Sequence, residues 1–352
     1  MELKELRNGI DRIDAEVLKL LNERMELALR SRRLKKEVTD EERENEVKEK
    51  YSKNTQGQLI GKQFTGALLE SVVAESKRLQ GEDYLLVGFQ GEHGAYGEIA
   101  AASVAEKSVA IPCLEFNDVF ESVKNKSLDV GVVPVENSLE GSVNAVNDLL
   151  ISQEGLHVVG EINVAVHHCL LTLPDTDYRD IKVVYSHPQA LGQCRGFIAR
   201  NHLEARPYYD TAGSAQMLAK DRPKAAAVIA SKLCAGLYGL EILKENIEDH
   251  QSNKTRFLII SRDKPSGGNK CSIAFSTKHK AGALYSVLKI FAEKNINLTR
   301  IESRPIRTGE ANTFAFLLDF LGTENTAEEV ITSMKEHTEW TRLLGCYKEE
   351  KA

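Results

Sequence analysis

Two groups of residues in this chain have the types and spacing to do chemistry, and they differ in kind. The first is cationic. An amphipathic stretch places Leu3, Leu6, Ile10, Ile13, Val17 and Leu20 on one seam in alternating steps of three and four. The next seam position, where an apolar residue belongs, is Arg24. Lys35 follows after about 1100° of helical rotation, within about 20° of the same face and roughly 16 Å further on. Cations turned toward the interior of a bundle need carboxylates from neighbouring helices, an escape of their long side chains to the surface, or an anionic ligand. Arg7 lies roughly 25 Å from Arg24 and about 100° round the helix, so it serves such a site only from a partner copy. The second group is mostly neutral and sits where strand-like runs give way to helical ones. It comprises Glu136, Asn137, Ser138 and Gly141; Ser186, His187, Gln189, Gln193 and Cys194; Thr211, Ala212 and Ser214; and Asn253, Thr255, Arg256 and Phe257. Such turns aim backbone N–H groups at anions, although Asn, Ser and Thr at turns also act simply as helix caps.

The elements that must position these residues follow from periodicity. The seam predicts one helix from Glu2 to about Lys36, with no Pro before Pro112 to stop it. At roughly 50 Å it is too long to be covered by the few helices that follow, which predicts sharing with a second copy. A turn, EVTD, lets Asp40 cap a second helix on which Asp40, Arg43 and Glu44 share a face. A third helix lines up Leu69, Val73, Ser76 and Gln80, so two polar residues continue an apolar stripe. At Gly81-Glu82-Asp83 the pattern changes. To about Arg262, runs such as YLLVGF, DVGVVPV, IKVVYS and RFLIIS alternate with helical stretches, predicting an α/β domain of two lobes, about 84–160 plus the last strand, and 165–250. After a KPSGGNK linker, the remaining runs spell βαββαβ, a ferredoxin-like α+β unit.

Composition narrows the function classes. A net charge of −6 argues against nucleic acid as the main partner, and no apolar run approaches the ~18 residues of a membrane span. The charged, helical start lacks a signal-peptide core. Six scattered cysteines without a CxxC read as reduced thiols of a cytoplasmic protein. His167-His168-Cys169 falls in a strand-like run and is not read as a metal site.

Together the helical residues resemble the all-helical chorismate mutase domain at the front of bifunctional prephenate dehydratases. The match rests on Arg7, Arg24, Lys35, Asp40, Arg43, Glu44, Ser76 and Gln80, with a loop before Asp40 shorter than in some relatives. The resemblance implies an intertwined homodimer, or a dimer of dimers. Arg7 and Arg24 would hold the carboxylates of chorismate, Lys35 and Gln80 its ether oxygen, and Glu44 its hydroxyl, with Ser76, Arg43 and Asp40 in support. The motifs ENS, SHPQALGQC and TRF resemble the prephenate dehydratase domain, a two-lobed fold like the type II periplasmic binding proteins. That implies Thr255 at the departing hydroxyl of prephenate, Arg256 as carboxylate partner or lobe anchor, and Phe257 packing the cleft. Glu136, Asn137, Ser138, Ser186, Gln189, Gln193, Thr211 and Ser214 would line it. One departure is Gly97, where relatives carry a Ser. Arogenate, the aminated relative of prephenate, fits a similar cleft. The C-terminal GALY and ESRP resemble an ACT regulatory domain, which implies phenylalanine bound by Gly282, Ala283, Leu284, Asn297, Leu298, Glu302, Ser303 and Arg304. The same unit could instead be an oligomerisation module without a ligand. The expected domains are 1–81, 84–262 and 271–349, with neither metal nor organic cofactor. Rival expectations are a working dehydratase with a helical dimerisation arm, or a binding protein with inactive sites.

Overall fold

The computed structural model describes residues 3–54, 59–265, 267–278, 280–306 and 314–350. Ser266 of the linker lies outside the described residues, as do 55–58 between the second and third helices. Two compact units result, Met1–Leu86 with Lys126–Leu128, and Val87–Asn125 with Asp129–Ala352.

The first unit consists of α1 (Leu3–Leu34), α2 (Glu41–Asn54) and α3 (Lys62–Gln80). Helix α1 stops at Leu34, so Lys35 stands in the turn after it and not on the helix face that the periodicity assigned. The buried stripe of α3 is Thr65, Leu69, Val72 and Ser76, one residue away from the predicted Val73. Gly81 closes α3 by donating its N–H to the carbonyls of Lys77 and Arg78. On α1, by contrast, Leu3, Leu6, Ile10, Ile13, Val17 and Leu20 remain 47–63% exposed. The whole N-terminal seam therefore has no cover among the described residues.

In the second unit the chain runs β1 (Leu85–Gln90), α4 (Tyr96–Ala102), β2 (Ser108–Cys113), α5 (Phe116–Lys124), β3 (Val130–Asn137), β4 (Gly141–Ser142), α6 (Asn144–Ser152) and β5 (His157–Ala165). It then passes to β6 (Cys169–Thr172), β7 (Val183–Ser186), α7 (Pro188–Gln193), α8 (Arg195–Arg200), β8 (Glu204–Pro207), α9 (Thr211–Asp221), β9 (Ala226–Ala230), α10 (Lys232–Tyr238) and β10 (Glu241–Lys244), and returns as β11 (Lys254–Ser261). Two sheets result, ordered β2-β1-β3-β11-β5 and β10-β6-β9-β7-β8. The returning β11 lies antiparallel between β3 and β5. It thereby sets Thr255 opposite Asn137. The alternation of a strand puts Thr255 and Arg256 on opposite faces.

The last segment, β12 (Lys270–Ser276), α11 (Ala283–Glu293), β13 (Leu298–Pro305), β14 (Phe314–Leu321), α12 (Glu324–Met334) and β15 (Trp340–Tyr347), forms a third sheet ordered β13-β14-β12-β15. Alternation on β12 divides its labour. Cys271, Ile273 and Phe275 join Val287, Phe291, Val330 and Met334 in the core beneath the helices. Lys270 and Ser272 face the other way, toward Glu161 and Asp319. Strand β15 comes so close to β5 that a Cβ on Gly345 would lie 2.0 Å from the Val158 carbonyl oxygen. The cysteines depart from expectation in one place. Cys271 and Cys346 face each other across β12 and β15 and form a disulfide, while Cys113, Cys169, Cys194 and Cys234 are buried thiols outside any disulfide.

Candidate functional sites

In the helical unit the predicted polar residues converge from three elements. Arg24 donates to the Ser76 hydroxyl at 2.5 Å, and that hydroxyl donates to the Val72 carbonyl at 2.8 Å. Gln80 reaches back to α1, its Nε2 donating to the Ala28 carbonyl at 2.7 Å. Lys35 stands 4.0 Å from Asp40. Glu44 pairs with Lys77 at 2.7 Å, and this hydrogen bond holds its carboxyl below the usual range despite some desolvation. Lys35 and Gln80 together line a cleft of about 350 Å³, with Arg32, Arg33, Glu82 and Asp83 around them. Arg43 turns outward to Glu46 at 2.7 Å, while its backbone N–H is capped by Asp40. Arg7 is exposed on α1. Lys77, which no motif singled out, is the residue that fixes Glu44.

The second site forms where the first two sheets meet. Asn137 is nearly buried, and all four hydrogen-bonding positions of its amide are filled. Its Oδ1 accepts the backbone N–H groups of Leu139 and Glu140, each at 3.0 Å. Its Nδ2 donates to Asn253 Oδ1 at 2.8 Å and to Thr255 Oγ1 at 2.9 Å. Because the backbone donors fix which end of the amide is oxygen, Thr255 must accept from Asn137. The Thr255 proton is then left to donate elsewhere. Asn253 is wholly buried, and its Nδ2 has no partner among the described residues. Ser138 stitches its loop to β11, donating its backbone N–H to the Lys254 carbonyl at 2.9 Å. Gln193 faces His168 of one lobe and Glu140 of the other. Gln189 and Thr211 stand at the starts of α7 and α9, the first exposed and the second half-buried.

Three residues expected to line the cleft, Ser186, Ser214 and Glu136, are engaged elsewhere, and Arg256 takes the anchoring one of its two expected roles. Ser186 is fully buried and donates to the Ile229 carbonyl at 2.6 Å. Ser214 is likewise buried and donates to the Thr211 carbonyl at 2.6 Å, within the first turn of α9. Arg256 and Glu136 project from the far face of the sheet. Arg256 bonds Glu161 at 2.8 Å, Asp319 at 2.7 Å and the Tyr347 hydroxyl at 3.1 Å, with Glu136 at 3.3 Å. Lys270 and Arg300 complete a cluster in which three cations meet Glu136, Glu161 and Asp319, with Glu349 4.0 Å from Lys270. Burial works against its charge, yet Asp319, Tyr347 and Glu161 together raise the Arg256 pKa above its ordinary value. The same neighbours act on Asp319, where Arg256 and Arg300 outweigh burial and hold the carboxyl below its usual range. Arg256 is an anchor to the third sheet. Phe257 is buried behind Thr255.

Residues 6–81 match the family model of chorismate mutase type II, and residues 87–265 that of prephenate dehydratase. The bifunctional chorismate mutase/prephenate dehydratase of Aquifex aeolicus is 37% identical over 98% of this chain and 98% of its own length. This chain belongs to the bifunctional chorismate mutase/prephenate dehydratases. It carries both family domains, the mutase in the helical unit and the dehydratase in the α/β unit. Arogenate dehydratase 2 of Petunia hybrida is 36% identical over 81% of the chain and 75% of its own. A crystal structure of prephenate dehydratase in complex with L-Phe, from Arthrobacter aurescens, superposes with a TM-score of 0.69 at 31% identity, covering 75% of this chain and 90% of that one. No helix among the described residues is long and apolar enough to cross a membrane, and none of their His, Cys, Asp and Glu side chains cluster as a metal site.

Against the pattern of this bifunctional family, the departure at Gly97 has a local explanation. A Cβ there would lie 3.3 Å from the Phe89 side chain, so position 97 faces the β1 strand behind the loop. Gly94 is more constrained, at φ +97° and with a Cβ that would meet Cys234 Sγ at 2.4 Å. This close approach brings the loop of one lobe onto α10 of the other, where Ser231 donates to the Gly94 carbonyl at 2.5 Å.

The residues expected to bind an effector fall into three sets. Gly282, at φ +81°, precedes α11 and is exposed, as are Asn297 and Ser303. Ala283 is buried, and Leu284 and Leu298 pack against the core of the third sheet. Glu302 and Arg304 depart from the expectation. Glu302 accepts from the Ser142 hydroxyl, and Arg304 grips Asp148 at 2.6 and 2.9 Å and Asn144 at 2.6 Å.

Proposed function

We propose that the chain converts chorismate to prephenate in the helical unit and prephenate to phenylpyruvate at Thr255, under control of phenylalanine bound to the C-terminal module. The first reaction is pericyclic and needs no nucleophile. It needs a dicarboxylate held in a compact conformer and positive charge where the ether C–O bond breaks. Arg24, with Arg7 of a partner copy, clamps the carboxylates. Lys35 and Gln80 face the ether oxygen, and Glu44, steadied by Lys77, takes the substrate hydroxyl. The exposed apolar seam of α1 supports a homodimer that brings Arg7 to the neighbouring site.

In the second reaction a ring carboxylate leaves as CO2. Its electron pair forms the aromatic ring as the C4–O bond breaks, and the departing hydroxide takes up a proton to leave as water. The observation that carries the assignment is the saturated amide of Asn137, which makes Thr255 an acceptor on one side and a donor on the other. A threonine hydroxyl is far too weak an acid to surrender its proton. It polarises the leaving group through a hydrogen bond that strengthens as negative charge develops there. Ser138, Gln189, Gln193 and Thr211 remain the candidates for substrate contacts.

The βαββαβ order of the third sheet supports an ACT module. With Glu302 and Arg304 engaged on α6 and β4, the effector contacts reduce to Gly282, Ala283, Leu284, Asn297, Leu298 and Ser303. The test is a coupled assay on the purified chain. Chorismate alone should yield phenylpyruvate, and added phenylalanine should suppress it. Conversion of added prephenate only would reduce the helices to a dimerisation arm. Preferential conversion of arogenate to phenylalanine would replace the second substrate.

A further inference from the structure

The first two sheets are joined by Val166, His167 and His168, and the last of these is buried. Its ring reaches both lobes. Nδ1 lies 3.1 Å from the Tyr96 hydroxyl on α4, and Nε2 lies 2.8 Å from Gln193 Oε1 on α7. The Tyr96 ring stands edge-on to it at 5.7 Å. Gln193 Nε2 in turn lies 3.5 Å from Glu140 Oε1. Behind the link, Glu248 accepts the His168 backbone N–H at 2.9 Å and meets the His167 ring at 2.8 Å.

Donor and acceptor chemistry gives this chain a direction. A carboxylate only accepts, so the Gln193 group facing Glu140 is its NH2. The Gln193 oxygen then faces His168, and Nε2 must carry the imidazole proton. Nδ1 then accepts only the minor share of the single Tyr96 hydroxyl proton at 3.1 Å, the larger share going to the His167 carbonyl at 2.6 Å. Burial lowers the His168 pKa, so the ring is neutral and has a single N–H to give. The outer contact, to an exposed glutamate at the edge of hydrogen-bonding distance, is the weak one.

We propose that His168 is a positioning residue of the dehydratase. By donating its Nε2–H to Gln193 Oε1, it turns the Gln193 NH2 toward the substrate, where a carboxylate or hydroxyl oxygen replaces Glu140. The inference rests on the assignment of Gln193 as a substrate-binding residue. Without the imidazole N–H the bond that holds Gln193 Oε1 inward is lost, and the amide that turns its oxygen outward loses its hydrogen bond to an anionic substrate and opposes that charge instead.

Two substitutions separate positioning from packing. His168→Gln puts an amide nitrogen near the place of Nε2, whereas His168→Asn puts one near the place of Nδ1. His168→Gln is expected to keep kcat/KM for prephenate within about threefold, and His168→Asn to lower it roughly 10- to 100-fold, the range of one oriented hydrogen bond to a charged group. Gln193→Leu should match His168→Asn, and the double variant should lose no more than either. Equal losses in the two His168 variants, or additive losses in the double variant, would overturn the proposal. Full activity in Gln193→Leu would instead remove the assignment of Gln193 on which it rests. Histidine-selective 15N NMR of the unmutated chain reads the tautomer without any folding question. An Nε2–H signal for His168 is expected, and an Nδ1–H tautomer would refute the relay.

Discussion

In the helical unit the donors assigned to the substrate rest on neighbours, Arg24 on Ser76, Gln80 on the Ala28 carbonyl and Lys35 beside Asp40. In the α/β unit Asn137 has no unfilled position, and Thr255 is held with its proton facing away from the amide. The difference follows from how each site is built. Helices present isolated long side chains from one face, so a mutase site drawn from α1, α2 and α3 is assembled from flexible parts. Adjacent strands bring short side chains and backbone N–H groups together at fixed spacing, so the dehydratase geometry is settled by the register of β3 and β11. With the proposed site residues, a substrate would displace contacts in the first site and fit existing ones in the second.

The strongest test of that contrast is a pair of substitutions. Thr255→Val should lower phenylpyruvate formation by roughly 10²–10³-fold while chorismate consumption continues. Arg24→Ala should remove mutase turnover by roughly 10²-fold or more and leave added prephenate converted at the normal rate. Measured with both substrates on both variants, any cross-effect would break the separation of the sites. A smaller effect is expected at the ionic cluster. Asp319→Asn takes one carboxylate from Arg256 and Arg300, which keep Glu161 and Glu136, and should destabilise the α/β unit by about 1–3 kcal/mol, read from denaturant unfolding. Since the folded Asp319 carboxyl titrates below its unfolded value of ~3.9, its contribution is complete above that value and disappears as pH falls through the folded pKa. The variant should therefore lose part of the acid limb of the stability profile. The smallest effect is Gly97→Ser, which should alter kcat/KM for prephenate less than about threefold, because position 97 faces Phe89.

The comparison also explains what the amino-acid sequence could and could not convey. The α1 seam, the change of pattern at Gly81 and the strand-helix alternation that follows were legible, because each reflects a local period. So was the membership of the ENS and TRF motifs in one domain, though not their adjacency on β3 and β11. The faces were harder. Glu136 read as a cleft residue beside Asn137, and Arg256 as either a carboxylate partner or an anchor, yet neighbours on a strand point oppositely and both meet the third sheet. Ser186 and Ser214 are hydroxyls that a turn motif brings forward and local backbone carbonyls reclaim. His168 read as one more strand residue, since the link between lobes has no signature in composition. Cys271 and Cys346 are separated by 75 positions, and only the adjacency of β12 and β15 makes them partners.

Under the proposed control by phenylalanine, Gly345 would give the coupling of regulation to chemistry a mechanical form. Strands β15 and β5 touch backbone to backbone there, with no side chain to yield. A single added methyl group would act as a wedge, prising the C-terminal module from the strand that flanks β11. It would do so without altering any charge, any catalytic group or any effector contact. The chain thus contains a point where the contact between its third sheet and its dehydratase sheet can be loosened while both ends stay intact.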